Sequence, residues 1–226
     1  MTPITIDRIF AGQVEELWPG RPPSAIRKKP VADRAEISEL GLTVDAQADL
    51  SVHGGLDKAL HHYPSEHYEN WCAELDRRDL CPGSFGENFS TFGLTEKTAC
   101  IGDIFEIGSA KVQISQGRQP CWKLNAHTSE DRMAFLFQKT GRTGWYYRVL
   151  ERGAVAPDDT MKLIERINPG WSVEQVTRAR LTKKIALSDA AYLAALPQLA
   201  EGWRRAFGQM ACGDLNEDTG PRLKGR

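Results

Sequence analysis

"GDIFEIGSAKVQISQGRQPCWKLNAHT" runs from Gly102 to Thr128, and its first half decides the fold class. "GDIFEIG" and "AKVQISQ" alternate apolar and polar residues, the period-two pattern of a strand with one face in the core. Gly108 and Ser109 between them read as a hairpin turn. The alternation ends at Gly117, and Arg118, Gln119 and Pro120 lead to Cys121. Pro120 fixes its own φ and has no N–H, so Cys121 takes a rigid, non-helical place where a strand has just ended. Arg118 and Lys123 flank the thiol and favour the thiolate, the form that attacks electrophiles or binds metals. On these features alone a functional thiolate and a buried core thiol are equally good readings.

Outward from this hairpin, the chain to about Asn168 reads as short strands with glycine and proline punctuation, the texture of a barrel or sandwich. "ITIDRIFAG" (4–12) is one strand by alternation, and "WYYRVLERG" (145–153) and "MKLIERI" (161–167) look like a strand pair around the turn "APDD". Helices interrupt. Pro64-Ser65-Glu66 opens "HYENWCAELDRR", and "SEDRMAFLFQKTG" has a Ser129 cap and a Gly141 stop. After Pro169-Gly170 the texture is helical. "WSVEQVTRARL" carries a Ser172–Gln175 capping box, "SDAAYLAALPQ" starts at Ser188, and "LAEGWRRAFGQMA" follows. The expected architecture is mainly β: a barrel with peripheral helices over 1–168, a three-helix C-terminal subdomain over 169–215, and a flexible tail over 216–226.

Composition narrows the function. A chain of 226 residues allows one large domain or a domain with a small appendage, and the formal net charge of -1 argues against general nucleic-acid binding. "MTPITIDRIF" lacks the basic and apolar regions of a signal peptide, and no apolar run approaches the ~18 residues of a membrane span. The expectation is a cytoplasmic protein without membrane contact. The five cysteines are odd in number and irregular in spacing, with no C-x-x-C, so neither a disulfide framework nor a four-cysteine zinc site is expected. Cys72, Cys81, Cys100 and Cys212 read as plain core thiols.

Three further stretches carry chemistry. In "VHGGLDKALHHYPSEHY" (52–68), His53-Gly54-Gly55 is a tight turn that lets backbone approach a ligand. His61 and His67 read as exposed or capping side chains, and the histidine spacing makes a poor zinc site. "GSFGENF" (83–89) suits a loop offering N–H and amide donors, and "RPPSAIRKKP" (21–30) is a basic loop. Phosphate-loop, dinucleotide-binding and serine-hydrolase signatures are missing. A cysteine hydrolase would need a histidine base beside Cys121, with His53, His62 and His127 as candidates.

Five stretches in order, "SAIRK" (24–28), "VHGGLDKALHHYP" (52–64), "FGENFST" (85–91), "IGDIF" (101–105) and "SQGRQPCWKLN" (115–125), resemble the MOSC family, named for the C-terminal domain of molybdenum cofactor sulfurase. The closest resemblance is to its bacterial hydroxylaminopurine-resistance branch, whose barrel is followed by a similar three-helix segment. The resemblance implies a β-barrel that binds a molybdopterin cofactor, with Cys121 as the molybdenum ligand; a soft thiolate suits such a metal. It implies basic and N–H-rich surroundings for the pterin phosphate, with Lys28, His53, Gly54, Gly55, Lys58, His62, Asn88, Arg118 and Asn125 as candidates. Lys58 stands where the branch commonly has arginine, which keeps the charge but loses the bidentate fork. The implied activity is reduction of small N-hydroxylated substrates, such as hydroxylaminopurine-type base analogues, to amines. His62, His127 or Lys123 would supply a proton, and a separate flavoprotein-type reductase would supply electrons, since the chain has no flavin or nicotinamide motif. Pyridoxal phosphate is not expected, and a homodimer stays open. The competing expectation is a cofactor or sulfur carrier without redox turnover.

Overall fold

The computed structural model describes residues 2–50 and 52–224. In chain order the elements are β1 (Ile4–Thr5), β2 (Arg8–Ala11), β3 (Lys29–Pro30), β4 (Ala35–Ser38), β5 (Gly41–Leu42), β6 (Leu60–Pro64), α1 (Glu66–Leu75), β7 (Phe89–Thr91), β8 (Ile104–Ile107) and β9 (Ala110–Gly117). Then come α2 (Trp122–Thr128), α3 (Met133–Thr140), β10 (Trp145–Glu151), β11 (Gly153–Val155), β12 (Thr160–Glu165), α4 (Val173–Thr182), α5 (Leu187–Ala195), α6 (Glu201–Ala211) and α7 (Gly220–Lys224).

The hairpin of β8 and β9 forms as its alternation predicts, with Ile107 opposite Ala110 and Gly108 at φ 56°. A Cβ on Gly108 would stand 2.2 Å from the Ala154 carbonyl oxygen, so both backbone and space call for glycine there. Around this hairpin the strands order as β1-β12-β8-β9-β10-β6-β7-β2-β3, with a separate sheet β11-β4-β5. The β6–β7 pair is parallel, between antiparallel neighbours. β1 and β3 stand at the two ends of the large sheet, so the pairing draws an open mixed sheet with helices in place of the closed, mainly β barrel expected from the sequence.

Two strand expectations are corrected. "ITIDRIFAG" divides after Thr5: β1 pairs with β12 and β2 with β7 and β3, at opposite ends of the sheet. β10 and β12 do not pair with each other. β10 lies between β9 and β6, β12 lies between β1 and β8, and the intervening "GAV" becomes β11 against β4. Alternation reports which face of a strand is buried and is silent on the partner. Ser129 is also misplaced as a helix start. It ends α2 in the left-handed region at φ 54°, and α3 starts at Met133. Gly141 stops α3 as expected, and the Ser172–Gln175 capping box opens α4.

One apolar core runs from the sheet into the C-terminal helices: Val112 and Ile114 of β9 share it with Val173 and Val176 of α4, Leu193 of α5, and Trp203 and Phe207 of α6. Gly117, the last residue of β9, lies so close to α4 that a Cβ there would stand 1.9 Å from Thr177 Oγ1. A second, aromatic cluster of Tyr63, Tyr68, Trp71, Phe85, Leu124 and Phe137 sets β6, α1, α2 and α3 against one another. The pocket that holds Cys121 shares Ile26 with this second cluster. Of the other thiols expected in the core, Cys100 is buried and Cys72 half-buried, but Cys81 and Cys212 are exposed. The segment read as a flexible tail carries α7, where Arg222 Nη1 donates to the Pro120 carbonyl at 2.6 Å. Among the described residues no helix is long and apolar enough to cross a membrane.

Candidate functional site

Cys121 is the residue before the first turn of α2, in extended conformation at φ -133° and ψ 169°, and only 7% of it is exposed. The strand end at Gly117 and the helix start at Trp122 leave the Arg118–Pro120 link to aim the thiol into the pocket. The pocket is partly open to solvent, and its lining brings His53, His61 and Tyr146 together with Cys121. Among the described residues four cationic side chains line it: Lys28, Lys58, Arg118 and Lys123. Asp45 is the acid among them.

Each cation is held by a different part of the fold. Lys28 makes a buried ion pair with Asp45, which also accepts from the Gly12 N–H at 2.7 Å and Asn88 Nδ2 at 2.8 Å. Arg118 Nη1 donates to the Phe85 carbonyl at 2.6 Å, Lys58 Nζ to Val52 O at 2.5 Å, and Lys123 Nζ to Pro23 O at 3.1 Å. Burial pushes the Lys28, Lys58 and Lys123 ammonium groups down, with Asp45 opposing at Lys28 and the acids Asp57 and Asp49 at Lys58. Withdrawing several like charges from water together is costly, and an anion in the pocket offsets that cost.

Cys121 Sγ lies 3.6 Å from His53 Nε2. His53 is pushed down to about 4, first by burial and then by Lys123, Arg118 and Lys58, so its imidazole is neutral near pH 7. Its Nδ1 is buried with no hydrogen-bond partner. A cysteine hydrolase needs an oriented histidine that takes and keeps the thiol proton. Among the described residues nothing bonds the outer nitrogen, and the surrounding cations oppose protonation, so the hydrolase reading loses its base.

Of the residues singled out in the sequence, Lys28, His53, Lys58, Asn88, Arg118 and Cys121 line this one pocket. His62 does not, and is corrected to a core residue. It is fully buried, its ring nitrogens meet Tyr147 Oη at 3.0 Å and Thr91 Oγ1 at 2.9 Å, and it stacks on Trp145 at 4.3 Å. Asn125 is also elsewhere: its Nδ2 donates to Asp131 O at 2.6 Å and its Oδ1 accepts from the Ala134 N–H at 2.7 Å, fastening α2 to α3. Gly54 and Gly55 shape the turn that carries His53, Gly55 at φ 86°, without lining the cavity. Asn88 faces the cavity, yet its side chain is spent on the His61 N–H, the Phe10 carbonyl and Asp45.

The sequence reading missed His61. Side chains alternate along β6, so turning His62 into the core turns its neighbour into the pocket. His61 is 4% exposed and not the exposed side chain expected; burial, then Arg118 and Lys28, hold it well below the usual histidine range, and its Nε2 has no hydrogen-bond partner. His67 is likewise buried, bonded to Glu96 at 2.8 Å. The "GSFGENF" loop turns N–H groups inward, with the Gly83 and Phe85 amides donating to the buried Glu87 carboxylate at 2.5 and 3.2 Å. His127 does not line the pocket, whereas Lys123 does.

A MOSC-domain family model matches residues 49–162, which contain Cys121, His53, Lys58 and Arg118. This chain belongs to the MOSC family. Protein YiiM of Escherichia coli is 37% identical over 222 residues, 96% of this chain and 97% of that protein. The crystal structure of YiiM from Geobacillus stearothermophilus superposes with a TM-score of 0.79 at 31% identity, covering 92% of this chain and all of that one. A protein of Gibberella moniliformis named as a reductase is 35% identical over 196 residues, 84% of this chain but only 34% of that longer protein.

The residues fit a metal that arrives with ligands of its own. Among the described residues no group of three or more His, Cys, Asp or Glu side chains is placed to hold a bare ion. One thiol, two buried imidazole nitrogens without partners (His53 Nδ1 and His61 Nε2) and four cations suit an anionic, metal-bearing cofactor.

Proposed function

We propose that this MOSC protein holds a molybdenum cofactor in the Cys121 pocket and reduces N-hydroxylated compounds, such as hydroxylaminopurine-type base analogues, to amines. The observation that carries this reading is a nearly buried thiol, 3.6 Å from a neutral imidazole, at the head of a pocket ringed by Lys28, Lys58, Arg118 and Lys123. Cys121 would ligate the metal, and Arg118, Lys58 and Lys28 would hold the anionic part of the cofactor. When bound, the cofactor supplies the two-electron chemistry. The overall change is R–NHOH + 2 e⁻ + 2 H⁺ → R–NH2 + H2O, so the protein has to deliver protons. Burial pushes the Lys123 ammonium down, the direction that makes it a better proton donor, and it lines the pocket. The fungal relative named as a reductase supports a redox role. Electrons would come from a separate flavoprotein-type reductase.

Elemental analysis tests the reading. Expressed in a host that makes molybdenum cofactor, the wild type is expected to carry molybdenum and Cys121→Ser at least about tenfold less, matching loss of a direct ligand or more. Cys212→Ser, at an exposed thiol, is expected to change nothing. Equally negligible metal in every sample refutes the cofactor assignment. Loaded protein that fails to turn over a hydroxylated purine with an artificial reductant leaves the carrier role in its place.

A further inference from the structure

Arg222 reaches the Cys121 loop from the far end of the chain. Its Nη1 donates to the Pro120 carbonyl at 2.6 Å, and its Nε is buried with no partner among the described residues. The segment leading to it is pinned to α4. Arg180 grips Glu217 with two bonds of 2.8 Å, and Lys183 donates to the Leu215 carbonyl at 2.5 Å. That same α4 sets Thr177 against Gly117, where the loop begins. Beyond Arg222, the Lys224 carbonyl accepts from Arg21 Nη1 at 3.4 Å, and the Arg21 guanidinium lies 5.0 Å from the centre of the Trp122 ring. Residues 215–224 therefore touch the 117–122 loop directly at Pro120, and reach its two ends through α4 at Gly117 and through Arg21 at Trp122.

The Arg118 side chain anchors one end of the loop through the Phe85 carbonyl, and backbone bonds between Arg118 and Leu124 are few. Arg118 N–H donates to Gly144 O at 3.1 Å, and the next backbone bond, Leu124 N–H to Cys121 O at 3.0 Å, already belongs to α2. Pro120 brings no N–H, so its carbonyl is what it has to be held by. Drawing a guanidinium out of water is costly, and its charged donor makes a stronger bond to a carbonyl than a neutral one does.

We propose that residues 215–224 are a clasp on the Cys121 loop, in which Arg222 is a positioning residue: by holding the Pro120 carbonyl it sets where Cys121 Sγ stands in the pocket. The consequence for metal retention rests on the cofactor reading above; the consequence for the loop does not.

Amide hydrogen exchange of the intact, metal-free chain, read on peptides covering 117–124, tests the clasp. In Arg222→Ala, and in Glu217→Gln as a second variant, those amides are expected to exchange about fivefold faster or more, while peptides in α1 and β10 keep the wild-type rate. Arg222→Lys, which keeps a charged donor, is expected to restore much of the protection. Unchanged exchange in both variants overturns the clasp, and so does an increase spread evenly over the chain. Protein loaded with molybdenum adds a second measure: Arg222→Ala is expected to lose metal severalfold faster on dialysis, with Arg222→Lys intermediate. Loss at the wild-type rate overturns the positioning of the sulfur. Wild type that never loads refutes the cofactor reading, and the exchange rates still decide the clasp.

Discussion

Asn88 shows how a residue can face a pocket and yet belong to the scaffold. Its side chain bonds the His61 N–H at 2.9 Å, the Phe10 carbonyl at 3.1 Å and Asp45 at 2.8 Å, tying β2, β6 and the loop after β5 together. Asn88→Ala leaves several buried groups unpaired, each worth about 1–3 kcal/mol. The expected result is a loss of roughly 2–4 kcal/mol in denaturant unfolding, read in metal-free protein, with the Lys28–Asp45 pair loosened as a consequence. A variant with wild-type stability would refute this scaffold role for Asn88.

At the scale of elements, the contact between β9 and α4 decides whether the strand end can present Cys121. A Cβ on Gly117 would stand 1.9 Å from Thr177 Oγ1, 3.1 Å from Thr177 Cβ and 3.2 Å from the Trp203 ring, and Thr177 is wholly buried. Gly117→Ala is expected to destabilise by about 1–3 kcal/mol, as overpacking does. Thr177 Oγ1 has no hydrogen-bond partner, so adding Thr177→Ala removes the clash at little polar cost. Thermal denaturation should therefore show the double variant recovering much of the loss; a double variant as unstable as Gly117→Ala refutes the contact. The same scale explains His61 and His62. β6 is buried on both faces, so the sequence offers no polar side by which to tell pocket from core.

For the whole molecule, the buried histidines set an acid limit. Burial pushes His62 down to about 3, and burial with nearby cations pushes His53 to about 4, against about 6.5 in the unfolded chain. Below pH 6.5 the unfolded chain takes up these protons first, so stability falls as pH drops from about 6.5 toward the folded values. Each histidine contributes up to about 1.4 kcal/mol per pH unit in that window, giving a few kcal/mol between pH 6.5 and 4.5. The melting temperature of metal-free protein should fall over that range, and His62→Gln should flatten the fall; an unflattened slope refutes a buried neutral His62. Glu217, held down to about 2 by Arg180 and then Lys183, adds a smaller term, lost only as pH falls below about 4.5, because it is partly exposed and screened.

By itself the sequence determined the β8–β9 hairpin, the helix signals at Ser172 and Gly141, and a cysteine flanked by cations at a strand end, because these depend on residues close along the chain. Only the tertiary structure decided the rest. It parted β1 from β2, seated β10 between β9 and β6, and left the sheet open, because strand alternation does not encode a partner. It also placed His53 beside Cys121, exchanged His61 for His62, consumed Asn88 and Asn125 in scaffold bonds, and brought Arg222 to Pro120. Apart from the Asn125 bonds, which span nine positions or fewer, those juxtapositions join residues tens to a hundred positions apart, and only the packed core brings them within reach.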